Sequence, residues 1–102
     1  MVDLGQYVKD GLVIAFVVVD RISGDIINGP DITSRGFVFE EAKAHILDEA
    51  QSILREVLEE AADLGAPIDW DQVRKEIHRK LRRFFNKVLE RRPIILPIIV
   101  EL

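Results

Sequence analysis

The sequence predicts an α+β fold with element order β-β-α-α-β: a three-stranded mixed sheet with two helices on one face. Three observations carry that expectation. Near the two ends lie short apolar runs, Leu12–Val19 and Pro93–Val100, rich in Val and Ile and without alternation. Such runs read as strands covered on both faces or central in a sheet. Between them, apolar residues recur at spacings of three and four, the period of a helix with one buried side. Gly and Pro punctuate the borders between these stretches.

Residues 1–10, "MVDLGQYVKD", show no period and are expected to be a tail or the remnant of a linker; residues 11–102 are expected to form one domain. Leu12–Val19 is the most apolar strand and belongs in the middle of the sheet. "DRISGD" (20–25) has turn chemistry, and Ile26 and Ile27 restart extended structure, which makes a hairpin. Asn28-Gly29-Pro30 is expected to interrupt this second strand, because Pro30 has no N–H to give to a ladder. Extended structure then resumes from Ile32 through Phe37–Phe39.

The helical period begins at Glu40. Ala42, Ile46, Ala50, Ile53, Val57, Ala61 and Leu64 form its stripe, with Leu47, Leu54 and Leu58 widening it. Glu40 and Glu41 suit the positive end of the helix dipole. Gly65 and Pro67 stop the helix. Asp69, with Gln72 three residues later, has the spacing of a capping box and opens the second helix. Trp70, Val73, Ile77, Leu81, Phe84 and Val88 form its stripe, flanked by Phe85 and Leu89, and Pro93 ends it. Pro97 marks the last strand as an edge or a bulge. If each element reverses direction, the last strand runs parallel to the first. One face of the sheet then lies bare, and its apolar side chains call for a partner.

Several chemistries lack support. There is no cysteine, so disulfides and thiolate metal sites are excluded. His45 and Glu49 have i,i+4 spacing, a thin ligand set better read as surface residues. The hydroxyls of Tyr7, Ser23, Thr33, Ser34 and Ser52 sit in no Gly-x-Ser-x-Gly elbow. Gly29 and Gly36 are not followed by the Gly-Lys-Ser/Thr of a phosphate loop. No catalytic or metal site is therefore assigned. No apolar run reaches the length of a membrane span, and the first residues lack the pattern of a signal peptide, so a cytoplasmic protein without a membrane partner is expected.

Two features ask for a function. The first is the stretch Gly29, Pro30, Arg35 and Gly36 between strand and helix. It reads as a structural corner, with Arg35 placed to pair with an anion or with a carboxylate such as Asp31. The second is charge. The chain carries a net charge of −4, yet nine basic side chains face two acidic ones between Arg74 and Arg92. At 100° per residue, Lys75, Arg79, Arg82 and Arg83 fall opposite the apolar stripe, and Arg74 and His78 at its flank. Arg74, Lys75, Arg79, Arg82 and Arg83 are the candidates for contacting RNA phosphates. The bland alternative is neutralisation within the fold, since the preceding helix is acidic (Asp48, Glu49, Glu56, Glu59, Glu60, Asp63).

The chain resembles the C-terminal domain of the ribonuclease J family. The most specific pieces are Gly29-Pro30-Asp31-Ile32, Ser34-Arg35-Gly36-Phe37-Val38 and Arg91-Arg92-Pro93-Ile94-Ile95-Leu96-Pro97, in that order, within a likeness covering about residues 10–102. The resemblance implies a parent that is a zinc-dependent metallo-β-lactamase-type ribonuclease, with 5′→3′ exonuclease and endonuclease activity in RNA processing and decay. It places the His-x-His-x-Asp-His motif and the zinc in a separate upstream domain, so no catalytic or metal residue carries over to this chain. It implies a supporting role here: association into a homo-oligomer and contact with the parent's catalytic domain. An RNA-binding accessory module using the basic helix is the alternative. A small-molecule regulatory domain and an isolated hydrolase rank below both.

Overall fold

The computed structural model describes residues 11–36 and 43–102. Five elements follow in the order β1 (Leu12–Val19), β2 (Ile26–Arg35), α1 (Lys43–Leu64), α2 (Trp70–Leu89) and β3 (Ile94–Glu101). The sheet order is β2-β1-β3, which puts the most apolar strand in the centre as expected. β1 pairs antiparallel with β2 and parallel with β3.

Burial alternates along β1. Val13, Ala15, Val17 and Val19 are buried, while Leu12, Ile14, Phe16 and Val18 are only partly covered. The buried set joins Ile95 and Ile99 of β3, Leu54, Val57 and Leu58 of α1, and Trp70, Ile77, Leu81 and Phe85 of α2 in one apolar core. Both helices therefore cover the same face of the sheet. The alternation was hidden in the sequence because both sets are apolar.

The connections use local hydrogen bonds. In the β1–β2 turn, Asp20 Oδ1 accepts from the amides of Ile22 and Ser23, each at 2.9 Å. These two bonds, Ser23 first, hold the Asp20 carboxyl below its ordinary pKa. The indole Nε1 of Trp70 donates to the Arg21 carbonyl at 3.0 Å and ties the start of α2 to that turn. Asp69 caps α2 by accepting from the Gln72 amide at 3.1 Å, as the spacing predicts. Glu90 closes α2 in the left-handed region, at φ 52°.

Three expectations change in detail. Asn28-Gly29-Pro30 does not interrupt β2, which runs unbroken for 10 residues. The ladder pairs Phe16 with Asp31 and Val18 with Asn28, so Gly29 and Pro30 together oppose Val17 in a β-bulge. The bulge absorbs the extra residue that a strict ladder has no place for. Leu64 leaves the α1 stripe and is 88% exposed. At the end of α2 the buried position is Phe85, while Phe84 is half-buried against it edge-on and Val88 is exposed. Helical drift across the stripe, together with what β1 and β3 offer beneath it, decides between neighbours such as Phe84 and Phe85. The expected extended stretch Phe37–Phe39 and the dipole partners Glu40 and Glu41 lie outside the described residues.

Candidate interaction surfaces

Among the described residues, the sheet presents one face that neither helix covers, the bare face. β1 contributes Leu12, Ile14, Phe16 and Val18 to it. The parallel register sets these beside Ile94, Leu96, Ile98 and Val100 of β3, which are 40%, 42%, 42% and 37% exposed. Eight apolar side chains thus form a block two strands wide. The antiparallel register sets Arg35, Thr33 and Asp31 of β2 beside Leu12, Ile14 and Phe16. Directly opposed residues share a face, so β2 gives the block a polar border. All three are exposed.

Pro97 fits this arrangement. The Ile94 amide donates to Gly11 and the Leu102 amide to Val19, so even-numbered amides of β3 point toward β1. Pro97, being odd, sits where an amide would point away from the sheet. Its missing N–H costs the ladder nothing and blunts an open edge.

The corner residues divide between two places. Gly29 and Pro30 form the bulge. Pro30 is buried, and its carbonyl accepts from Gln51 Nε2 of α1, which ties the bulge to the helix. Gly29 has φ +88°, and a Cβ there would lie 3.1 Å from the Phe16 carbonyl oxygen. Gly36 follows β2 at φ +79°, its Cβ direction 3.3 Å from the Gly11 Cα. Arg35 stands on the bare face. Asp31 lies four residues away along the same strand, and no ion pair joins the two among the described residues.

The basic side chains also separate. Arg74 bridges Asp71 and Glu101, each at 3.1 Å, and so locks α2 to the end of β3. Arg79 pairs with Glu76, a contact that lowers the pKa of the Glu76 carboxyl. Lys80 reaches Glu60 of α1 at 4.0 Å, the cross-helix neutralisation that the acidic α1 suggested. Lys75 is exposed on the outer side of α2. Arg82 and Arg83 make no ion pair among the described residues. With His78, Arg79, Asn86 and Arg92 they line a groove of about 480 Å³. Sequence reasoning had Arg79, Arg82 and Arg83 but did not assign His78, Asn86 or Arg92 to the site. The 78–82–86 spacing carries the signal for two of these; Arg92 arrives from the connection to β3.

His45 Nε2 lies 3.2 Å from Glu49 Oε1 on an exposed turn of α1. Among the described residues no group of three His, Asp or Glu side chains could hold a metal ion. No described helix is long and apolar enough to cross a membrane.

Comparison with known proteins places this fold. The profile of the ribonuclease J C-terminal domain matches residues 6–102. The chain belongs to the ribonuclease J C-terminal domain family. Ribonuclease J 2 of Staphylococcus epidermidis is 32% identical over 94 residues, and that of Staphylococcus aureus 33% over 94, each alignment covering 92% of this chain. Ribonuclease J2 of Bacillus subtilis is 27% identical over 93 residues, 91% of the chain. The chain spans 17% of the length of each of these relatives. The matched span, residues 6–102, includes the residues of the bulge, the sheet face and the basic groove.

Proposed function

We propose that this chain is an accessory domain of a ribonuclease J-type enzyme and that it supports the enzyme by pairing with a second copy of itself through the bare sheet face. The observation that carries this reading is the block of eight apolar side chains on β1 and β3. An apolar patch of this kind in contact with water is costly. Burying what remains exposed of the four β3 side chains contributes on the order of 1 kcal/mol each. Sheet faces pack about 10 Å apart with interdigitated side chains, and two copies of this face supply both layers.

The polar border favours self-pairing. It carries a carboxylate, Asp31, and a guanidinium, Arg35, symmetrically about Thr33. A two-fold axis in the interface plane, across the strands at Thr33, sets Arg35 of each copy against Asp31 of the other. Like charges are then kept apart while the apolar blocks meet. Zinc-dependent 5′→3′ exonuclease and endonuclease chemistry is assigned, within this proposal, to the rest of the parent. This domain's contribution is to hold subunits together.

The test is solution mass by light scattering over a concentration series. A dimer is expected, converted to monomer by Ile98→Asp with the helical signal intact. The border is tested by charge reversal. Arg35→Asp and Asp31→Arg each weaken association, and the double variant restores it. A wild-type chain that stays monomeric at high concentration, or a dimer indifferent to Ile98→Asp, overturns the reading.

A further inference from the structure

The helical layer carries a second surface, a groove along α2. The groove lined by His78, Arg79, Arg82, Arg83, Asn86 and Arg92 contains four guanidinium groups, of which Arg79 pairs with Glu76, and no carboxylate is among the described residues that line it. This occurs in a chain with 18 acidic residues. A fold that merely neutralised its basic helix would distribute carboxylates among these arginines, as it does for Arg74, Arg79 and Lys80. Arg82 and Arg83 have no such neighbour among the described residues. Their mutual repulsion is an electrostatic cost, and an anion in the groove removes it.

The shape narrows the anion. On α2, residues 78, 79, 82, 83 and 86 follow one another at spacings of three and four, so they form a strip about 12 Å long at 1.5 Å per residue. Arg92 closes one side of the groove. A smaller hollow of about 240 Å³ shares His78, Arg82 and Arg92 and continues toward Pro93, Ile94 and Ile95 at the start of β3. The site is thus a channel open along its length, fitted to a strand rather than to a compact ion. The groove itself is lined by four arginines, His78 and Asn86, and apolar side chains enter only in the hollow at Pro93, Ile94 and Ile95, so the groove lacks the apolar centre typical of a protein interface. Arginine forks bind phosphate oxygens through paired hydrogen bonds. No Phe, Tyr or Trp is among the residues lining the groove, and its one ring is the His78 imidazole, so the arginine contacts are assigned to the phosphate backbone.

We propose that this α2–β3 groove binds the phosphate backbone of single-stranded RNA without sequence preference, through Arg82 and Arg83, with Arg74 excluded because it is committed to Glu101. The contact lies on one strip of α2 and at the connection that follows it, and Lys75 stands outside it.

The probe is a fluorescent oligouridylate of about 15 nucleotides, titrated with the full 102-residue chain and read by anisotropy at 50 mM and 200 mM salt. Neutralising about two or three phosphates gives a log–log salt slope of about −1.4 to −2.1. Arg82→Glu is expected to weaken binding at least tenfold. Lys75→Glu makes the same charge change on the same helix outside the groove and is expected to change it less than threefold. Both sites are exposed, and unchanged circular dichroism and melting temperature confirm intact folding. Three results overturn the proposal. The wild type does not bind at 50 mM salt. Lys75→Glu weakens binding as much as Arg82→Glu, which reduces the effect to net charge. Poly-L-glutamate displaces the RNA equally well at matched charge, which assigns the groove to an acidic protein segment.

Discussion

Two faces of one strand meet different fates in this domain. The odd positions of β1, Val13, Ala15, Val17 and Val19, lie under both helices and are almost fully buried. The even positions, Leu12, Ile14, Phe16 and Val18, are equally apolar and lie on the side the helices do not cover. Hydrophobicity alone does not distinguish them. What separates them is which side the α1–α2 pair occupies. The covered face holds the fold together, and the bare face is available for another molecule.

The sharpest way to break that comparison is a pair of matched truncations. Leu58 on α1 is fully buried beneath the sheet, and Leu58→Ala is expected to cost about 2–5 kcal/mol through lost transfer energy and the cavity left behind. Ile98 is 42% exposed on the bare face, and Ile98→Ala is expected to cost under about 1 kcal/mol in the isolated monomer. Urea denaturation at a concentration where the chain is monomeric measures both. Equal costs would mean that the bare face is covered by this chain itself.

A second prediction concerns the device that sets β2 in phase with β1. Gly29 and Pro30 oppose the single residue Val17, so the bulge lets Asp31 return to the bare face beside Phe16 and Ile32 to the covered face beside Ala15. Gly29→Ala places a side chain in the left-handed region and 3.1 Å from the Phe16 carbonyl. The expected loss is about 1–2 kcal/mol, read as a lower urea midpoint with an unchanged slope. A neutral result would show that the bulge relaxes without cost. The phase of β2 would then be set by Pro30 and its bond from Gln51 instead.

The sequence was most legible where pattern and local chemistry agree. The central place of β1 followed from its unbroken apolar run, and the α2 cap from Asp69 and Gln72. The bulge was harder to read. Gly29-Pro30 signals a break in any strand, and only the partner strand shows that two residues oppose one. The division of β1 into faces was illegible because both sets are apolar, so no alternation marks the covered side. The basic site was legible as a charge run but not in outline. Arg74 finds Glu101 27 residues away, and Arg92 joins the groove from beyond the helix; neither contact has a local signature. Glu101, distant in sequence, is what separates Arg74 from Arg82 and Arg83.

The smallest expected effect lies at the β1–β2 turn, which belongs to neither face. Asp20 accepts amide hydrogen bonds from Ser23 and Ile22, and these stabilise the ionised carboxyl, so its folded pKa lies below the ordinary value of 3.8. A depressed folded pKa contributes stability that is present above the ordinary value and is lost as pH falls through the folded one. Asp20→Asn keeps an accepting oxygen and removes the titration. The wild type is therefore expected to melt slightly higher than the variant at pH 6, and the gap is expected to close as the pH falls below about 3.8. Since the carboxyl acts through two hydrogen bonds in a surface turn, the gap is expected to be far smaller than the loss from Leu58→Ala. A gap that stayed constant with pH would assign the turn's contribution to hydrogen-bond geometry rather than charge. A gap that widened in acid would mean that the ionised carboxyl opposes folding and that the turn is held by its backbone bonds alone.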